Sequence, residues 1–287
     1  LHIVNVYRHL LYLLHNKHVV QDLRERGAIF VEEVREIPEG ALCIFSAHGV
    51  SQQVRRDAEA RGLRVFDATC PLVTKVHLEV SKAARDGFDT VLIGHEGHPE
   101  VEGTLGQIES DAQGQKYLVE TVEDVETLEV RDPEKLSFVT QTTLSLDDTR
   151  VLIEALERRY PDVIGPGLED ICYATQNRQR AVRQMARQVD LVIVVGARNS
   201  SNANRLQEVA ADHGVPARLV EHAGELEPVW LAEVRTVGVT AGASTPEILV
   251  TGVCERLREL GAGSIRELPG LAETTRFRLP EVLRRAG

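Results

Sequence analysis

Residues 66–77, FDATCPLVTKVH, read as the end of a strand, then a cysteine, then a proline, then the opening of a helix. Proline suits the first position of a helix, because the N–H it lacks would have no partner there. Cys70 is thereby placed at or near the helix N-cap. The positive end of the helix dipole favours a thiolate at such a point, and a thiolate attacks or ligates. A buried packing cysteine suits the same joint, and this stretch alone does not separate the two readings.

Outward from this joint, short apolar runs alternate with amphipathic stretches. ALCIF, TVLIG, LSFVT, LVIVVG and TVGVT read as strands; VRRDAEARG, VHLEVSKAARDG, DDTRVLIEALERRY, RQRAVRQMARQ, NRLQEVAADHG and PEILVTGVCERLREL read as helices. Such βαβα order predicts an α/β fold with parallel sheets covered by helices. Gly62, Gly87, Gly214 and Gly261 stand where helices should end.

The pattern repeats. Cys70 opens a helix and the next strand leads to Gly94 in VLIGHEGHPE; Cys172, in EDICYATQNRQ, opens a helix and its strand leads to Gly196 in VIVVGARNSSN, with cysteine and glycine 24 positions apart in both cases. Each unit then carries a second strand ending in a polar turn, FVTQTTLSLDD or VGVTAGASTPE. LLHNKHVV and LCIFSAHGVSQQV resemble the two polar turns of an earlier unit. The repeat spacing sets that unit's cysteine before Leu1, so a cysteine-bearing segment is expected to be missing from this sequence.

The 287 residues suffice for two or three compact units, and 43% hydrophobic with 27% charged residues is ordinary for a soluble protein. A net charge of −11 argues against coating nucleic acid or an anionic membrane, so an anionic ligand needs local, directed donors. Cys43, Cys70, Cys172 and Cys254 are widely spaced and form no CxxC, which suggests a reducing cytoplasm over a secreted disulfide framework. No apolar run approaches the ~20 residues that span a bilayer. Cys43 within a strand and Cys254 within a helix read as packing residues.

Ligands of open α/β sheets gather at the carboxyl ends of the strands, where helix N-termini offer free N–H groups to anions. The turns there supply His48 from SAHGVS, His95, His98 and Glu100 from GHEGHPE, Thr142 from TQTT, Ser200, Ser201 and Asn202 from NSSN, and Ser244 from GASTPE as an N-cap ahead of Pro246. His15 belongs to the same set of turns. Hydroxyls, amides and imidazoles suit a diphosphate when Arg and Lys are not supplied. Taken singly, Ser200, Asn202 and Ser244 are also ordinary helix caps. His95 and His98 lack the i, i+4 spacing of a helical zinc pair.

Together FSAHGVS, FDATCPLVTKVH, LIGHEGHPEVEGT, TQTTLS, ICYATQNRQ, NSSNANRL and GVTAGAS closely resemble the 4-hydroxy-3-methylbut-2-enyl diphosphate reductases, which catalyse the last step of the non-mevalonate isoprenoid pathway. The resemblance runs from about His15 to FRLPEVLRR near the C-terminus. It implies three similar α/β lobes with small, mostly parallel sheets in pseudo-threefold arrangement around a central site. The lobes are expected at 1–69, 70–171 and 172–262, with a tail at 263–287 packing back on the first. Each lobe of such an enzyme gives one cysteine to a [4Fe-4S] cluster. Cys70 and Cys172 match two of these ligands, and the third is expected in the missing N-terminal segment.

The resemblance also makes His15, His48, His98, Ser200, Ser201, Asn202 and Ser244 diphosphate-binding residues, Thr142 a substrate-binding residue, and Glu100 with Thr142 a proton relay. A ferredoxin or flavodoxin is the implied electron donor, and neither nucleic acid nor membrane is an expected partner. Two other functions stand beside this one. One is a truncated, cluster-deficient relative that only grips a diphosphate. The other is a metal-dependent phosphate-ester hydrolase using His95, His98 and Glu100.

Overall fold

The strands are short, three to five residues each. The structure is a computed structural model that describes residues 5–7, 17–31, 33–109 and 112–268. Its first sheet comprises β1 (Asn5–Tyr7), β2 (Ile29–Val31), β3 (Leu42–Phe45) and β4 (Arg64–Asp67), in the order β2-β1-β3-β4. Helices α1 (Lys17–Glu25) and α2 (Gln52–Ala60) lie between these strands in sequence. The second sheet comprises β5 (Asp89–Ile93), β6 (Lys116–Val119) and β7 (Leu136–Thr140), in the order β6-β5-β7. Its helices are α3 (Pro71–Arg85), α4 (Pro99–Leu105), α5 (Val122–Thr127) and α6 (Leu146–Arg159). The third sheet comprises β8 (Leu191–Val195), β9 (Ala217–Val220) and β10 (Val237–Ala241), in the order β10-β8-β9, with α7 (Tyr173–Ala186), α8 (Ser201–Asp212) and α9 (Glu247–Glu259).

Every strand pair is parallel, so each connection is a crossover, most of them through an α-helix. Parallel strands covered on both faces need continuous apolar runs. The central strand β8 meets that need with five buried aliphatic residues; β5 is buried as completely but opens with Asp89 and Thr90. Val192 and Val194 face α7 and α8 through Val182, Met185 and Leu206; Leu191, Ile193 and Val195 face the opposite layer, with Val253 and Leu257 of α9. The second sheet divides likewise. Val91 and Ile93 join Leu152, Ile153 and Leu156 of α6, while Leu92 joins Val76, Val80 and Ala84 of α3. These are the three similar α/β lobes expected from the sequence.

The internal repeat is visible in matching close contacts. Gly94 and Gly196 end the central strands of their sheets, and their N–H groups donate to Val119 and Val220 of the neighbouring strands. A Cβ at Gly94 would lie 2.7 Å from Val101, and one at Gly196 would lie 2.6 Å from Ala203. Both obstructing residues sit seven positions further on, where the following helix crosses the strand end. Gly62, Gly87, Gly214 and Gly261 take left-handed φ values just past α2, α3, α8 and α9, as the sequence predicts. Of the expected C-terminal tail, residues 263–268 are described: Arg266 donates to Gln188 and Leu268 packs on the α7–α8 cluster. The remainder lies outside the described residues.

Candidate active site

Among the described residues, the polar turns after β3, β5, β7, β8 and β10 leave the carboxyl ends of strands. Cys70 is the N-cap of α3 with Pro71 at the first helical position, and Cys172 is the N-cap of α7. The two are anchored alike. The Cys70 N–H donates to Ala47 O in the turn after β3 at 2.9 Å, and the Cys172 N–H donates to Thr142 O in the turn after β7 at 2.9 Å. Each cysteine is thus stitched to the polar turn of the preceding sheet. Both side chains are partly exposed, unlike Cys43, which is fully buried in β3.

Burial pushes the Cys70 thiol above its ordinary pKa, the N–H groups of Leu72 and Val73 oppose this, and the charges of Cys172 and Glu100 add to the rise. The helix end therefore acts in the direction expected for a thiolate, but desolvation outweighs it in the protein alone. The same balance places Cys172 and Glu100 within electrostatic range of the Cys70 sulfur. Among the described residues, no group of three or more His, Cys, Asp or Glu side chains is gathered to hold a metal ion.

Glu100 stands in the first turn of α4 and is 2% exposed. Its Oε1 accepts the Thr142 N–H at 2.6 Å and its Oε2 accepts the Thr142 hydroxyl at 3.0 Å. Burial raises its pKa from 4.5 to about 7; the two Thr142 hydrogen bonds pull the other way, and the negative charge of Asp170 adds to the rise. A buried carboxyl poised near neutrality is the ordinary form of a general acid.

His98 is the N-cap of α4, its Nδ1 accepting the Glu100 N–H at 3.2 Å. Its ring lies edge-on to His48, with centroids 5.3 Å apart, so turns of the first and second sheets meet here. His95 turns away. Its Nδ1 faces Glu120 and its Nε2 faces Arg205, each at 3.3 Å. Both ring nitrogens are engaged, and His95 does not join His98 and Glu100 in a metal-binding cluster, contrary to the phosphatase-like alternative. His15 lies outside the described residues.

Ser200 caps α8, its Oγ accepting the Ala203 N–H at 3.4 Å. Asn202 is 6% exposed, and neither its amide oxygen nor its amide nitrogen has a partner among the described residues. Ser201 accepts a hydrogen bond from Thr143. Ser244 is a correction: the N-cap of α9 is Pro246, and Ser244 is exposed two residues upstream. A helix starting at Ser244 would put Thr245 in helical geometry directly before proline, which sterics disfavour. Thr245 instead donates its hydroxyl to Val195 O at 3.0 Å.

Asp170 was not legible as a site residue. Its buried side chain accepts Lys75 Nζ at 2.8 Å and the Thr140 N–H at 3.2 Å. The one available signal was its place before Cys172, echoing Asp67 before Cys70.

Three lobes of parallel α/β structure, with cysteines capping α3 and α7 and a buried acid–threonine pair at a strand end, are those of an α/β enzyme. The chain belongs to the LytB protein family, whose model matches residues 5–258. It is 58% identical over 272 residues to the 4-hydroxy-3-methylbut-2-enyl diphosphate reductase of Mannheimia succiniciproducens, covering 95% of this chain and 86% of that protein. The reductase of the same name from Xanthomonas axonopodis pv. citri is 60% identical over 273 residues with the same coverage of each. Among solved structures, the E-1-hydroxy-2-methyl-but-2-enyl-4-diphosphate reductase of Plasmodium falciparum superposes with a TM-score of 0.91 at 34% identity, covering 99% of this chain and 88% of that one. A second structure, of (E)-4-hydroxy-3-methyl-but-2-enyl diphosphate reductase, gives a TM-score of 0.61 at 32% identity over 90% and 89% of the two chains.

Proposed function

We propose that this protein reduces 4-hydroxy-3-methylbut-2-enyl diphosphate to isopentenyl and dimethylallyl diphosphates, with loss of the substrate hydroxyl as water. The reading is carried by one observation: the buried Glu100–Thr142 pair lies within electrostatic range of Cys70, which in turn senses Cys172. Two cysteines at helix N-caps fit two ligands of a [4Fe-4S] cluster, since metal charge would reverse the burial penalty on the Cys70 thiol. When bound, the cluster supplies single electrons and an open coordination position.

The protein groups account for the rest. His48, His98, Ser200, Ser201, Asn202 and Ser244, with His15, hold the diphosphate through hydroxyl, amide and imidazole groups. Asn202 supports this role, because its amide is buried with no partner among the described residues and a phosphoryl oxygen would satisfy it. Glu100 carries a proton at neutral pH in a site nearly closed to water and releases it toward the departing hydroxyl. Thr142 keeps the carboxyl oriented through its hydroxyl and N–H. Electrons come from a ferredoxin or flavodoxin, and a cytoplasmic location agrees with four free thiols.

The test is anaerobic turnover of the substrate with a chemical reductant. The native protein is expected to form both isoprenoid diphosphates. Glu100→Gln is expected to lose at least about 10²-fold in turnover while binding inorganic diphosphate within threefold of native. Release of inorganic phosphate in place of reduced product, or unchanged turnover in Glu100→Gln, would refute this assignment.

A further inference from the structure

A single hydrogen-bonded chain runs from the second lobe to the third. The His95 backbone N–H donates to Gln141 Oε1 at 3.1 Å, Gln141 Nε2 donates to Thr143 Oγ1 at 2.9 Å, and the Thr143 hydroxyl donates to Ser201 Oγ at 3.2 Å. Gln141 is 1% exposed, so water does not compete for its amide.

Chemistry fixes the direction of each link. A backbone N–H only donates, so the Gln141 oxygen faces His95 and its nitrogen faces Thr143. An amide nitrogen only donates, so the Thr143 oxygen accepts. The Thr143 proton is then free to pass to Ser201. With its oxygen engaged on that side, Ser201 is left with its own proton directed elsewhere.

We propose that Gln141 and Thr143 are positioning residues that present the Ser201 hydroxyl as an outward donor to a phosphoryl oxygen of the substrate. This rests on the reductase reading above and adds to it a fixed polarity. A chain that ends in a donor suits an oxygen that only accepts, such as a phosphoryl oxygen of an ionised diphosphate. The neighbouring Asn202 points the same way: its amide is 6% exposed and has no partner among the described residues. In a chain of net charge −11, bulk attraction does not draw an anion in, so oriented donors of this kind must hold it.

The experiment titrates the holoenzyme with inorganic diphosphate by calorimetry and measures steady-state turnover in parallel. Thr143→Val keeps the side-chain shape and removes the donor. It is expected to weaken diphosphate binding about tenfold and to raise KM by a similar factor, with kcat falling far less. Thr143→Ser is expected to return both to within about twofold of native. In a Ser201→Ala background, Thr143→Val should add less than about a twofold further loss, because no hydroxyl remains to be oriented. Native-like binding by Thr143→Val, or an undiminished effect in the Ser201→Ala background, overturns the inference and leaves the reductase reading standing. Failure of the native holoenzyme to bind diphosphate overturns both.

Discussion

Glu100 holds a carboxyl where almost no water reaches it, and the protein offsets that cost only in part. Its pKa stands at about 7 in the fold against an ordinary 4.5, with burial as the main cause. The folded chain therefore keeps this proton over a pH window in which the unfolded chain has released it. Stability linked to the group is fully present below about pH 4.5 and is lost as pH rises through about 7, an effect on the order of 3 kcal/mol. Glutamine carries no such charge. Relative to native, Glu100→Gln is expected to gain thermal stability at pH 8 compared with pH 5, read as the difference in Tm between the two proteins at matched cofactor content. A Tm difference that does not change with pH would show that Glu100 titrates normally. The candidate residues Cys70, Cys172 and Glu100 were legible because each sits in a short motif at a helix start, and Thr142 because it sits in the polar turn after β7. Gln141, Thr143 and Asp170 were not, since their roles depend on partners far away in sequence, such as the 95 residues between Lys75 and Asp170.

Among the elements, α3 joins one lobe to the next. It begins at Cys70, and one turn later Lys75 reaches Asp170 in the turn leading to Cys172. This ion pair ties the two cysteine-bearing helix starts to one another, with Asp170 completely buried and Lys75 partly exposed. The charge on Asp170 also raises Lys75 above its ordinary pKa, though burial of the lysine opposes this. Asp170→Ala removes the buried one of the lysine's two carboxylate partners, leaving Glu79 at 3.3 Å, and also the acceptor for the Thr140 N–H. It is expected to cost about 2–4 kcal/mol in denaturant unfolding. A loss below about 0.5 kcal/mol would mean that solvent replaces the pair without penalty. Elements themselves were unevenly legible. The runs ALCIF, TVLIG, LSFVT, LVIVVG and TVGVT are β3, β5, β7, β8 and β10, which lie inside sheets or carry strong apolar runs. The edge strands β2, β6 and β9 escaped notice: three or four residues long, they leave too little alternation to read, and Lys116 and Arg218 dilute two of them. Ser244 was misplaced as a cap because the helix start it implied is disfavoured for Thr245, the residue before Pro246.

At the scale of the whole molecule, the repeat is the source of the site. Each cysteine N–H is bound to the polar turn of the preceding sheet, so adding a lobe brings its sulfur toward the turns of its neighbour. The same geometry sets His48 of the first lobe against His98 of the second, and Thr143 of the second against Ser201 of the third. A sequence repeat can show that such turns exist in each unit. It does not show that they converge, because convergence depends on how one lobe packs on the next. The central claim is that Cys70 and Cys172 serve one shared inorganic centre. Iron and acid-labile sulfide, counted per chain in anaerobically purified native protein and in Cys70→Ala, Cys172→Ala and the double variant, test it most directly. One shared centre predicts that either single change removes most of the iron and sulfide, and that the double change removes little more. Full iron in a single variant, or two partial losses that add in the double variant, would contradict it.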